Sequence, residues 1–342
     1  MNSCKIRAFA ALLSCLAIMA GCAPAADPAG PPEGAPLTEK APTATPSGKK
    51  VWIAVIPKAS TVDFWKQIQA GANQAAKDFA LEAVYMQPTA TLTQTKLIDD
   101  CIAKHASGIV LAPMSDKQLD GPVKKAQAAG IPVVLIDSTI KTASVTSTVA
   151  TDNYRAGTLE AQRTIELLNG KGSVVLMRCS KEAEGTTARE KGFLDTIKGS
   201  GVTVLDDSYY GGNFMEGAVA TSERLINNLD LAHRKGVAVV TVSATNTQAM
   251  LTALEATKVA GKVKFVGFDT SAKLLKGLKD CEIDALVVQE PYQIGYLGVK
   301  MMVTKMNGES VDPDIKTDAI LADRENVNSP ELKALITLPA KS

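Results

Sequence analysis

From residue 51 onward, short apolar runs rich in β-branched residues alternate with longer stretches in which apolar residues recur every three or four positions. Phe64, Ile68, Ala72, Ala75, Ala76 and Phe79 fall on one face of a helix, which is the signature of a helix laid against a core. The same reading predicts strands at 51–57, 82–86, 108–112 and 131–136, with further helices at 92–105 and 117–129. A strand at 145–150 carries the chain across to a second unit, where the alternation restarts. Strands are predicted there at 173–177, 203–208, 237–242, 262–268 and 283–288. The accompanying helices are predicted at 154–169, 188–198, 214–228, 247–257, 272–280 and 292–307. Repeated strand–helix units imply parallel sheets covered on both faces. Two such series make an α/β fold of two similar, doubly wound lobes.

Ligands of open α/β sheets sit beyond the carboxyl ends of the strands, so the residues that follow each strand are the candidate walls of a cleft. Those residues are Lys58, then Asp137 and Ser138, Arg178, Asn246, Asp269, and Gln289 with Glu290. Carboxylates accept, cations donate, and side-chain amides do both, which suits a polyol whose hydroxyls also do both. Phe64, Trp65 and Phe214 lie near predicted strand ends, where aromatic faces can pack on the C–H faces of a sugar ring.

Composition narrows the chemistry. A net charge of +1 gives no bulk field that favours nucleic acid or an anionic membrane. The two histidines, His105 and His233, lie far apart at polar helix ends and leave little for a histidine triad or a zinc site. No phosphate-loop glycine pattern, Gly-x-Ser-x-Gly or His-Glu-x-x-His occurs. Ser138 to Lys141 matches Ser-x-x-Lys, but the companion Lys-Thr-Gly is absent and the match is coincidental. The reading is a binding protein without cofactor or metal, not an enzyme.

The first 50 residues have another logic. Lys5 and Arg7 precede an apolar run from Ala8 to Met19 broken only by Ser14, which is the pattern of a secretory signal. Met19-Ala20-Gly21-Cys22 resembles the lipobox of bacterial lipoproteins, which implies cleavage before Cys22 and its lipidation. Segment 1–22 is therefore read as signal peptide, and 23–50, with seven of the chain's 16 prolines, as a tether that cannot bury a core. Cys101, Cys179 and Cys281 remain, an odd number in an oxidising compartment, and are expected as three buried thiols. The expected location is the periplasm or the outer face of the cell membrane, held by a lipid anchor.

The body resembles the ribose-binding type of sugar-binding protein of ABC importers over residues 51–335. The resemblance is carried by Ile53-Ala54-Val55-Ile56, Phe64-Trp65, Gly71-Ala72, Gly130-Ile131-Pro132-Val133-Val134, Asp152-Asn153, Ala188-Arg189-Glu190-Lys191-Gly192-Phe193, Val266-Gly267-Phe268-Asp269 and Gln293-Ile294-Gly295. It implies a type I periplasmic binding protein whose lobes are joined by a three-stranded hinge, with one lobe at 51–150 plus 291–317 and the other at 151–290 plus 318–342. It also implies a sugar held by Phe64, Trp65, Asp137, Arg189 (in preference to Arg178), Phe214, Asn246, Asp269 and Gln289. Two positions depart from the ribose type: Ser138 replaces an arginine, and Lys58 follows Pro57 where a small polar residue is usual. Ile56-Pro57-Lys58 is similar to receptors for a furanosyl autoinducer. Sugar-responsive repressors share the body fold but begin with a helix-turn-helix, so no nucleic acid is expected as partner. The implied role is a monomeric substrate-binding component that delivers a monosaccharide or similar small polyol to an ABC permease. The alternative is a signalling receptor of the same fold that binds an autoinducer-like furanose or other small polar ligand for a sensor protein.

Overall fold

A computed structural model describes residues 51–58, 62–89, 91–140 and 144–337. The signal segment, Cys22 and the tether lie outside the described residues. In chain order the first half is β1 (Trp52–Ile56), α1 (Asp63–Asp78), β2 (Glu82–Tyr85), α2 (Gln94–Ala103), β3 (Gly108–Leu111), α3 (Asp116–Ala128), β4 (Val133–Ile136) and β5 (Ser147–Thr151). There follow α4 (Asn153–Leu167), β6 (Gly172–Met177), α5 (Glu184–Ile197), β7 (Val202–Asp206), α6 (Met215–Asn228), β8 (Val237–Thr241), α7 (Ala244–Ala256), β9 (Lys264–Phe268), α8 (Ala272–Lys279) and β10 (Ala285–Gln289). The chain closes with α9 (Pro291–Met306), β11 (Asp314–Thr317), β12 (Ala319–Ala322) and α10 (Pro330–Ile336).

These elements build two six-stranded sheets, ordered β11-β5-β4-β3-β1-β2 and β12-β10-β9-β8-β6-β7. All pairings are parallel except β10 with β12. The central strands are buried on both faces, as helices on either side of a parallel sheet require. The chain passes from one sheet to the other after β5, after β10 and between β11 and β12. Side chains tie these passages together: Thr151 Oγ1 donates to Gln289 Oε1 at 2.9 Å, and Asp152 N–H donates to Thr317 O at 3.0 Å.

The strand–helix order matches the pattern read from the sequence, with instructive departures. Helix α5 begins at Glu184 rather than 188, because Thr186 and Gly185 extend the helix into a stretch whose polarity reads as loop. Helix α7 begins at Ala244 rather than 247, capped by the Ser243 side chain, which accepts from Asn246 N–H. Strands β11 and β12 escape the pattern because they are short edge strands whose residues are mostly exposed or half-buried. Cys101 and Cys179 are free thiols and buried, as expected, but Cys281 is only partly buried. It sits just past α8 in a left-handed turn with φ 65°.

Candidate ligand-binding site

The sheets repeat one geometric device. Asp137 directly follows β4 and Asp269 directly follows β9, the corresponding strands of the two sheets. Both take left-handed backbone conformations, with φ of 63° and 67°. Each backbone N–H is held by the next strand of its sheet, Asp137 by Val149 O at 2.9 Å and Asp269 by Val287 O at 2.8 Å. A left-handed conformation is uncommon outside glycine and best tolerated by Asn and Asp, and it turns each carboxylate off the strand end. Strain of this kind, about 1–3 kcal/mol per residue, is typically found at binding sites.

Both carboxylates line one narrow cleft whose free volume is about 40 Å³. From the first lobe it is lined by Lys58, Val62, Phe64, Trp65 and Asp137. From the second it is lined by Cys179, Thr186, Arg189, Asn213 and Asp269, with Ser243, Ala244 and Thr245 at the start of α7 and Gln289 at the passage between the sheets. Phe64 and Trp65, in the first turn of α1, meet edge to face with ring centroids 4.9 Å apart.

The polar groups are already ordered by one another. Arg189 Nε donates to Asn153 Oδ1 at 2.7 Å, Nη1 to Val242 O at 2.9 Å, and Nη2 to Gln289 Oε1 at 2.5 Å. Its guanidinium also lies 4.4 Å from the centroid of the Phe268 ring. An arginine carries five N–H groups, so these three bonds leave two for a ligand among the described residues. Gly157 on α4 permits this placement: a Cβ there would lie 2.0 Å from Arg189 O. Asp269 Oδ1 accepts from Gln289 Nε2 at 2.8 Å, and Oδ2 from Ala244 N–H at 3.1 Å. Burial pushes the Asp269 carboxyl up to about 6, against the opposing pull of the Arg189 charge and these hydrogen bonds. Lys58 Nζ lies 2.6 Å from Asp137 Oδ2 and also donates to Ser138 Oγ. The cleft thus pairs two cations with two carboxylates, offers donors and acceptors at fixed positions, and has an aromatic edge. Among the described residues no cluster of His, Cys, Asp and Glu could hold a metal ion.

Three residues expected at the site lie elsewhere. Ser138 is buried behind Asp137 and receives Lys58. Phe214 is 47% exposed and lines a separate apolar groove with Pro88, Met114 and Leu119. Its backbone is extended, so it points opposite to its neighbour, and Asn213 faces the cleft instead. Asn246 is fully buried within the first turn of α7, where its Nδ2 donates to Arg178 O at 3.1 Å. Arg178 itself turns outward to Tyr210, Asp207 and Glu190, and Cys179, the next residue, takes its place in the cleft. Cys179, Thr186 and Asn213 had no signal in the sequence beyond adjacency to residues that were singled out.

Two α/β lobes that meet over a polar cleft at the carboxyl ends of their strands define a two-lobed small-ligand binding protein. The model of the periplasmic binding protein domain matches residues 53–310, and the chain belongs to that family. It is 25% identical over 273 residues to the ribose import binding protein RbsB of Bacillus subtilis, covering 79% of this chain and 87% of the relative. A carbohydrate transporter solute-binding protein from Agrobacterium radiobacter, solved with D-arabinose, superimposes with a TM-score of 0.77 at 29% identity, covering 85% of this chain and 100% of that one. An ABC transporter solute-binding protein from Agrobacterium vitis with bound D-fucose gives a TM-score of 0.77 at 28% identity, covering 84% of this chain and 100% of that one.

Proposed function

We propose that the protein is the substrate-binding component of an ABC importer, which closes its lobes on a monosaccharide or similar small neutral polyol and presents it to a membrane permease. The observation that carries this is the facing pair of strand-end aspartates, one from each lobe, sharing a cleft with Arg189 and the Phe64–Trp65 edge. Only when the lobes are together can a ligand reach both carboxylates, so binding favours the closed form. Two lysine or arginine charges matched by two aspartates argue for an uncharged ligand. The relatives that bind ribose, arabinose and fucose support the same class.

In this reading Lys58, Phe64, Trp65, Asp137, Arg189, Asp269 and Gln289 contact the ligand, joined by Cys179, Thr186 and Asn213. The ligand leaves chemically unchanged. The lobes comprise 51–150 with 291–317 and 151–290 with 318–342, and the protein acts as a monomer. Cleavage before Cys22 and its lipidation hold it at the outer face of the cell membrane, with 23–50 as spacer. No described helix is long and apolar enough to cross a membrane.

The test is a thermal-shift panel of pentoses, hexoses and deoxy sugars. A sugar at a hundred times its Kd adds about 2.7 kcal/mol of stability. For a chain of this size that raises Tm by about 2–4 °C per kcal/mol. A flat response across the panel would remove the sugar assignment.

A further inference from the structure

Ser138 was expected to touch a ligand, and its actual surroundings are more informative. Its Oγ receives the Lys58 ammonium, donates to Asp137 Oδ2 at 3.3 Å, and accepts the backbone N–H of Gly185 at 3.3 Å. Lys58, Asp137 and Ser138 follow strands of the first sheet, whereas Gly185 lies in the first turn of α5, which packs on the second. One buried oxygen therefore joins the two lobes. The approach is as close as backbone allows: a Cβ on Gly185 would lie 2.8 Å from Asp137 O, 2.8 Å from Ser138 Oγ and 3.2 Å from Asn153 Nδ2. Two of those three neighbours belong to the first lobe, and Asp137 O is main chain, which cannot swing aside. A second contact continues the seam, where Asp116 N–H donates to Glu182 O at 3.2 Å. Asp137 on one side of Gly185 and Thr186 on the other both line the ligand cleft.

We propose that Gly185, Ser138 and Lys58 form an interlobe seam that sets how often the cleft is shut, with the missing side chain at 185 as the condition for closure. Gly185 and Ser138 are positioning residues: they touch no ligand, and act by letting the walls that do so come together. The inference rests on the proposed binding function, because it treats the lobe contact as the closed state of a ligand cleft. Lys58 couples the two, since it joins both the seam oxygen and the Asp137 carboxylate that faces the ligand.

The chain carries its own reporter. Cys179 lines the cleft and is 2% exposed, Cys101 is enclosed in the core of the first lobe, and Cys281 is partly exposed. The full chain is treated with N-ethylmaleimide without sugar, and labelling of each cysteine is followed by peptide mass spectrometry. In the wild type, Cys179 reacts much more slowly than Cys281. In Gly185→Ala the overpacked contact opens the seam and Cys179 labels about tenfold faster, while Cys101 keeps its wild-type rate. Ser138→Ala, which removes the shared acceptor without adding bulk, raises the Cys179 rate about fivefold and keeps the proposal testable if the first variant folds poorly. Cys179 labelling at the wild-type rate in both variants, or as fast as Cys281 in the wild type, overturns the seam. A parallel arm adds D-ribose, D-arabinose or D-fucose to the wild type. Failure of all three to protect Cys179 counts against the sugar reading alone, because the sugar-free rates decide the seam on their own.

Discussion

Asp269 offers a prediction whose magnitude can be worked out in advance. Its carboxyl is buried, accepts two hydrogen bonds, and titrates at about 6 rather than at the ordinary 3.8. The shift is upward, so the folded state holds this proton more tightly than the unfolded chain does. The resulting stabilisation is fully present below the unfolded value and is lost as pH rises through about 6. A pKa difference of about two is worth about 3 kcal/mol. Replacing Asp269→Asn removes the titration but keeps the shape. Chemical denaturation of both proteins, followed by circular dichroism from pH 4 to pH 8, isolates the term, because every other titrating group cancels in the difference. The variant is expected to be the less stable protein at pH 4, where it lacks the protonated acid's bonding, and to gain on the wild type by about 2.4 kcal/mol between pH 4 and pH 7. A stability difference that stays flat across that range would refute the argument that burial outweighs Arg189 at this carboxylate. Sugar binding runs the opposite way: a ligand hydroxyl donates best to the ionised acid, so affinity falls as pH drops below about 6.

Other outcomes follow from the same geometry. Asp137→Ala removes a charged acceptor and leaves Lys58 buried beside it; isothermal titration is expected to show sugar affinity weakened by about 1.5–3 kcal/mol. Gly157→Ala forces α4 and α5 apart at Arg189 O, lowering stability by about 1–3 kcal/mol in urea melts and weakening sugar binding with it. Cys22→Ala is expected to move the protein from the membrane fraction to the soluble one and to abolish incorporation of labelled palmitate, with unchanged sugar affinity.

Much of the fold was legible because strand and helix alternate with clean periods, and β-branched runs such as Val133–Ile136 are buried on both faces. The strand-end rule reached Lys58, Asp137, Asp269 and Gln289 because position along a parallel strand alone decides which residues face the cleft. It failed where one residue of phase mattered. Arg178 and Cys179 are adjacent, as are Asn213 and Phe214, and extended backbone sends one of each pair into the cleft and its neighbour away. Charge on Arg178 and aromaticity on Phe214 drew attention to the wrong member in each case. Asn246 was misplaced for another reason: the Ser243 cap starts α7 early and turns the amide into the protein. The strand-end rule reached Ser138 but not its contact across the lobes, because its partner Gly185 is 47 residues away and has no side chain to suggest one.

Gln289 belongs at once to the cleft and to the passage between the sheets, holding Asp269, Arg189 and Thr151 with a single amide. Recognition and swivel therefore share this one residue, and neither can be redesigned through it alone. A sensor engineered from this scaffold could change its sugar by altering Phe64, Trp65 or Thr186 and keep its switching behaviour. One retuned through Gln289 would change its taste and its tempo together.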